Sequence, residues 1–413
     1  MSRAAVSLRS LLRTRPLLVV LLGLPLLWVT VVVSGLYLAL GRLAISWAPG
    51  PDVWILGRDF SVFYVGGSLA REGSWSVLYD VAAFAARFDE VTGLDLPAGG
   101  PLFRYPPPTA FAYVPLSATS LGVALVLWTL AGVAAYVASV RLLRLSPTAG
   151  ILVFASVPAY GAVALGQNTF FAFLVLALAG VAARRGAPIW LGVLIGLLVL
   201  KPQLALGPAL WWLSAPSRHR RELMGALVSG GSSVLATVLA TPQGWATYLE
   251  RLPTLADPGP TNRVWYFSGL DFFRMVFGEG GAATLAWAAV TLTVVAGFVV
   301  VFRRVADDPT TALAWSIVAT MLITPHMVVY DWLLLAVAGA LLWDRVPRWS
   351  LLTAAVLLHV VALYGPDIAS WQAERFTTIL HPAYPLLLAL ATPVLIRTAR
   401  RPGDHPRPSR SST

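Results

Sequence analysis

The sequence predicts an all-α polytopic membrane protein of about ten to twelve transmembrane helices, counting broken ones. Three observations carry that reading. The chain is 57% hydrophobic and only 12% charged, with a mean hydropathy of +0.74, against roughly 25% charged residues in soluble proteins. Apolar windows of near-spanning length, about 20 residues each, recur from end to end and leave no room for a large soluble domain. Short arginine clusters punctuate those windows, as cytoplasmic loops do under the positive-inside rule: Arg3 to Arg15, Arg141 with Arg144, Arg184 with Arg185, Arg218 to Arg221, Arg303 with Arg304, Arg345 with Arg348, and Arg397 to Arg401.

The elements follow in order. Leu17 to Leu40 comes after Arg9, Arg13 and Arg15. It is longer than a signal-peptide core and lacks a small-residue cleavage site, so it reads as a retained first helix. Residues 47–105 form a long loop whose Asp52, Asp59, Glu72, Asp80, Asp89, Glu90 and Asp95 stand against four arginines, a balance suited to the outer face. Within it, Val81, Phe84, Phe88 and Val91 repeat at helical spacing opposite Asp80, Arg87 and Glu90, the pattern of a helix lying in the interface. Trp265, Phe267, Phe272, Phe273 and Val276 make a second such candidate, equally readable as a short core helix. Thr109 to Leu116 is too short to cross unaided; it is either a re-entrant half helix or a partner of the run that continues to Tyr136.

Runs at 148–165, 169–184, 223–240, 281–302, 311–324, 328–343, 349–365 and 380–396 then alternate in direction, with both termini cytoplasmic. The stretch from Arg185 to Arg218 starts and ends beside arginine clusters and contains the only lysine, Lys201, followed by Pro202. Proline cannot donate the helical hydrogen bond and disfavours helix in the residue before it. Two half helices meeting at Lys201-Pro202 satisfy the charges, and non-helical backbone at that depth requires protein or a wet cavity around it. The alternative is one long kinked helix whose lysine snorkels or pairs with a carboxylate. Residues 1–396 are thus read as a single membrane domain, and the tail 397–413, rich in Arg, Pro and Ser, as a disordered cytoplasmic segment.

The net charge of +11 reports this topology and not nucleic acid, because the arginines are scattered between apolar runs. With no cysteine, disulfides, thiolate nucleophiles and zinc–thiolate sites are excluded. Five histidines spread along the chain make no metal cluster. Neither a phosphate loop nor His-Glu-x-x-His is found, so no cofactor is expected.

The informative polar residues fall on the outer side of this topology: Arg58 and Asp59, Arg104, Gln167 and Asn168, Lys201 and Gln203, Arg263, His326 and Asp331. Charges placed only for solubility would show no such bias. Asp59, heading an aromatic helix start at Phe60, Phe63 and Tyr64, suits a general base that takes a hydroxyl proton. Arg104 and Lys201 suit a phosphate, the arginine as a fork and the lysine as a point charge. Trp54, Phe60, Tyr64, Tyr105 and Trp265 suit sugar faces or an interfacial belt. Together they suggest sugar transfer from a lipid phosphate to a hydroxyl. A lipid or polysaccharide transporter is the alternative, since broken helices with buried polar groups also build transport sites, though it calls for midplane polar groups and inverted repeats. A non-catalytic scaffold would tolerate loss of Asp59.

Several pieces, in family order from 57 to 331, resemble the C-type (GT-C) polyprenol-phosphate-sugar-dependent glycosyltransferases of family 87, which include the mannosyltransferase of phosphatidylinositol mannoside synthesis. They are Gly57-Arg58-Asp59-Phe60-Ser61-Val62-Phe63-Tyr64; Gly66-Gly67 and Gly73 leading to Leu78-Tyr79-Asp80; Phe103-Arg104-Tyr105-Pro106-Pro107; Gly166-Gln167-Asn168; Leu200-Lys201-Pro202-Gln203; and Thr324-Pro325-His326 through Tyr330-Asp331. The resemblance implies a GT-C bundle in the cell membrane and Asp59 as the base in an inverting transfer. It implies a polyprenyl-phosphate-hexose donor, commonly mannose, with Arg104 at the lipid phosphate and Lys201 and His326 lining the donor pocket. It also implies a site facing outward and no metal. The acceptor, a glycolipid or another hydroxyl compound, is left open, and loops 241–264 and 366–378, which would choose it, carry no motif.

Overall fold

In the computed structural model, residues 57–93, 102–255, 266–373 and 383–399 are described. The run Leu17–Leu40 with its arginines, Asp52, Trp54, Asp95, Arg263, Trp265 and the tail beyond Ala399 lie outside them. The described residues are helical with one isolated antiparallel bridge, Tyr266 to Val328. The all-α class is as expected.

Three helices fill the long loop after the first run: α1 (Arg58–Glu72), α2 (Trp75–Tyr79) and α3 (Val81–Thr92). Asp80 caps α3 by accepting from the backbone N–H groups of Ala82 and Ala83 at 3.1 and 2.9 Å, which satisfies two donors that a helix start leaves open. Phe84 and Phe88, the centre of its predicted apolar face, are buried, and Phe84 meets Phe103 with ring centroids 6.4 Å apart. Helix α4 (Pro107–Ser117) is separate from α5 (Leu121–Leu142) and packs along α1. Only glycine fits where they cross. A Cβ on Gly67 would stand 2.7 Å from the Tyr113 backbone. The stacked rings of Phe63 and Tyr113, 4.7 Å apart, extend the contact.

The remaining helices are α6 (Pro147–Phe154), α7 (Val157–Leu165), α8 (Thr169–Arg184), α9 (Pro188–Gly196), α10 (Leu206–Leu213), α11 (Arg220–Ala226), α12 (Ser232–Ala240), α13 (Pro242–Leu255), α14 (Gly269–Phe277), α15 (Gly281–Arg304), α16 (Pro309–Ile323), α17 (Leu335–Leu342), α18 (Arg348–Ala373) and α19 (Ala383–Ala399). Among the described residues, three units are long and apolar enough to cross a membrane singly: α5, α15 and the continuous Arg220–Ala240. Helices α6 and α7 pass that test together as a pair bent by 60°. Apart from α18, whose 26 residues exceed any of these in length, the other apolar helices are shorter, so the bundle relies on interrupted elements as much as on straight spans. At most 22% of the most apolar window of those three units is buried. Leu130, Leu227, Leu239, Leu285 and Leu292 stand 63% to 74% exposed. Water would not tolerate that much uncovered apolar surface, whereas lipid does. By contrast, α16 is buried from Thr310 to Ile323 and forms the core of the bundle, as a helix apolar all round should.

The sequence marks loops at 241–264 and 366–378; in the structure α13 occupies Pro242–Leu255, and α18 continues to Ala373 despite the turn signal Gly365-Pro366. Helix α14 packs in the bundle, with Phe272 and Phe273 against Tyr384 at 6.1 and 6.4 Å.

Between α9 and α10 the chain breaks where Lys201-Pro202 predicts. Two 3₁₀ turns, Leu197–Leu200 and Pro202–Ala205, flank Lys201, whose φ of −142° and ψ of 71° are not helical. Threonine hydroxyls cover the carbonyls that the break strands: Thr109 donates to Leu200 O at 2.7 Å, and at longer range Thr320 to Leu204 O and Thr324 to Gln203 O. Buried backbone acceptors need such partners. The break therefore coexists with a lysine–carboxylate pair, a combination that the sequence offers only as alternatives.

The two ends of the bundle differ in charge. Arg184, at the end of α8, donates to Leu142 O at 2.8 Å, and Arg144 and Arg345 lie close enough to act on its charge. Arg303 reaches Ser214 O, at the end of α10, at 3.4 Å. Lys201 lies at the other end of α8, sharing Asp331 Oδ1 with Thr169, the first residue of that helix.

Candidate active site

The site is assembled around the start of α8. Gly166 ends α7 at φ +69°, and a Cβ there would fall 2.5 Å from Phe60 Cβ. Gly57, at the head of α1, donates its backbone N–H to Ala164 O at 2.7 Å. Trp128 donates its indole N–H to Gly166 O at 2.9 Å. This clasp holds the start of α1 against the Gly166-Gln167-Asn168 turn. Gly166→Ala meets both the left-handed backbone and Phe60, a strain of about 1–2 kcal/mol from the backbone alone; we expect the thermal unfolding midpoint in detergent to fall, whereas an unchanged midpoint would mean that the clasp is loose.

Across the clasp, Gln167 donates its amide Nε2 to Asp59 Oδ2 at 2.5 Å. Two residues on, Thr169 Oγ1 donates to Asp331 Oδ1 at 3.3 Å, and Lys201 Nζ reaches the same oxygen at 2.5 Å. One turn at a helix start, where the backbone dipole favours negative charge, therefore gathers two carboxylates. Their environments differ. Asp331 is 1% exposed and its charge is matched by Lys201, itself 4% exposed and 4.9 Å from the Tyr330 ring centroid. Asp59 is half-buried without a salt bridge among the described residues, and burial raises its pKa above the ordinary 3.8, against the opposing pull of the Gln167 hydrogen bond, Arg58 and Lys201.

Arg104 donates Nη1 to Leu255 O at 2.6 Å and acts electrostatically on Tyr105, Tyr266 and His326. The His326 ring lies 4.6 Å from that of Tyr266. In the connection between α16 and the 3₁₀ turn Val329–Leu334, burial first, then Arg104, Lys201 and Arg274, push His326 down to about 3, so the imidazole is neutral at physiological pH. Burial pushes Tyr266 up to about 12. Tyr105 packs on Phe63 at 5.0 Å, and burial holds its phenol well above the ordinary range.

The structure thus brings together Arg58, Asp59, Arg104, Tyr105, Gln167, Asn168, Lys201, His326 and Asp331. Asn168 lies beside the Tyr113 phenol. Tyr64 does not join them, because its hydroxyl donates to Thr119 O at 2.6 Å within the α1–α5 packing. Gln203 contributes its backbone carbonyl to the break at Lys201-Pro202, the apex between α9 and α10. Thr169 and Tyr266 were missed by sequence reasoning: Thr169 directly follows the Gly-Gln-Asn turn and was legible there, whereas Tyr266 is placed only by its bridge to Val328. Among the described residues no group of three or more His, Cys, Asp or Glu could hold a metal ion.

Fold and site together define an all-α membrane protein whose ionisable groups converge at the end of the bundle away from its arginine clusters. The family model of glycosyltransferase family 87 matches residues 103–329, just over half of the 413 residues. The chain belongs to that family, a GT-C type, and is a glycosyltransferase acting on a sugar donor and an acceptor. No curated protein and no solved structure matches it.

Proposed function

We propose that the chain transfers a hexose, mannose in the first instance, from a polyprenyl-phosphate-linked donor to a hydroxyl acceptor on the outer face of the membrane, with inversion at the anomeric carbon. Asp59 takes the acceptor's hydroxyl proton as the oxygen attacks the anomeric carbon. The bond from that carbon to the phosphate oxygen breaks on the opposite face, and polyprenyl phosphate leaves with the bonding electrons. The observation carrying this reading is the pairing of carboxylates at the start of α8. Asp331 is neutralised and sealed, while Asp59 is half-exposed with its pKa raised toward that of a useful base. Family membership favours this over the transporter alternative.

Arg58 and Arg104 supply positive charge for the donor phosphate, with Lys201 contributing through its field at the apex. Neutral His326 and the phenols of Tyr105 and Tyr266 offer hydrogen bonds and ring faces to the sugar, and Asn168 an amide. The site faces outward, both termini are cytoplasmic, residues 1–396 act as one membrane domain, and the acceptor is a glycolipid or a similar hydroxyl compound.

The test is transfer by the purified protein in nanodiscs, with polyprenyl-phosphate-mannose and a panel of lipid acceptors. Mannosylated product is expected from the polyprenyl donor and not from GDP-mannose; the reverse would overturn the donor assignment. Arg104→Ala is expected to raise the apparent donor KM about tenfold or more, as loss of a charge-assisted contact does. An unchanged KM would remove Arg104 from the phosphate site.

A further inference from the structure

Gln167 is the one side chain hydrogen-bonded to Asp59 among the described residues, and its own circumstances are unusual. It is 4% exposed, and its Oε1 is buried without a partner. Leaving a buried amide oxygen unpaired is costly. A residue chosen only for packing would be apolar here, against Trp128, Gly132 and Phe170, which share a small cavity with it. The amide instead spends its other half on a carboxylate. Its backbone leaves no slack: Gly166 makes the left-handed turn, and Gln167 N–H donates to Ala162 O at 2.8 Å. Toward the ionised carboxylate only the N–H end of the amide can face Oδ2, since a carboxylate oxygen accepts and does not donate.

We propose that Gln167 is a positioning residue for Asp59, gripping Oδ2 so that Oδ1 is the oxygen presented to the acceptor hydroxyl and tuning the proton affinity of the carboxylate. The role in turnover rests on the reading of Asp59 as base; the grip itself does not. A hydrogen bond to the charged form favours that form, so Gln167 offsets part of the effect of burial. The charges acting on Asp59 are Arg58 from its own helix and Lys201 from the apex, and the phenols of Tyr105, Tyr266 and Tyr330 lie near enough to feel the carboxylate in turn.

The experiment is pH-difference infrared spectroscopy of the full chain in nanodiscs, following the protonated-carboxyl band that disappears in Asp59→Asn. In Gln167→Leu that band is expected to titrate roughly one pH unit higher than in wild type and to lie at higher frequency, as a carboxyl relieved of a hydrogen bond does. Gln167→Glu, which sets a second carboxylate beside the first, is expected to move the titration upward as well. A midpoint and frequency unchanged in both variants would overturn the proposal, even if both lose activity, because a merely structural glutamine could lower activity while leaving the carboxyl spectrum untouched. Undiminished turnover in Asp59→Asn sinks instead the role of Asp59 as base, so the two failures are distinguishable.

Discussion

Asp59→Asn is expected to lower sugar transfer by roughly 10²–10⁴-fold, the range that a positioned general base contributes, with little change in donor binding. Asparagine keeps the volume and can still accept from Gln167, so what is lost is the capacity to take a proton. The wild-type pH–rate profile should agree. A base must be unprotonated, and burial raises the pKa of Asp59 above the ordinary 3.8. Activity is therefore expected to fall as pH drops through a value above that figure. His326, pushed down to about 3, should add no limb at physiological pH. Stability should run the other way. A carboxyl whose folded-state pKa exceeds its unfolded one stabilises the fold at pH below the unfolded value and loses that contribution as pH rises through the folded value. Once ionised, Asp59 is thus a burden, and Asp59→Asn should be no less heat-stable than wild type at a pH where the enzyme is active, while failing to turn over. An inactive variant with a collapsed melting curve would point to a structural carboxylate.

The second large effect concerns the apex. Lys201→Met leaves Asp331, 1% exposed, as a buried charge held only by the Thr169 hydroxyl. Breaking one side of a buried pair costs about 3–5 kcal/mol. A marked drop in the thermal midpoint of the detergent-purified protein is expected. The double variant Lys201→Met with Asp331→Leu removes both charges, and apolar replacement of a buried pair is often neutral, so most of the loss should be recovered. If the single variant melts with wild type, the pair does not clamp the break. If the double variant is no better than the single, Lys201 acts through something other than Asp331.

Much of this protein was legible before any coordinates. The helix limits follow the apolar runs closely: 169–184 matches α8, and the runs at 281–302 and 311–324 lie within two residues of α15 and α16. Hydrophobic length and arginine placement are local properties, and a bilayer imposes one simple rule on both. The break at Lys201-Pro202 was legible for the same reason, since proline acts on its own peptide and its neighbour.

What the chain alone determined, then, is an all-helical membrane protein, where several of its helices begin and end, and which polar residues are too expensive to be idle. Only the tertiary structure decided how those residues pair: Asp59 with a glutamine 108 positions away, and Lys201 with an aspartate 130 positions away, so that one carboxylate is sealed and the other left half-open. Both carboxylates look alike in sequence, because the depth, neighbours and hydrogen bonds that separate their chemistry belong to helices far apart along the chain.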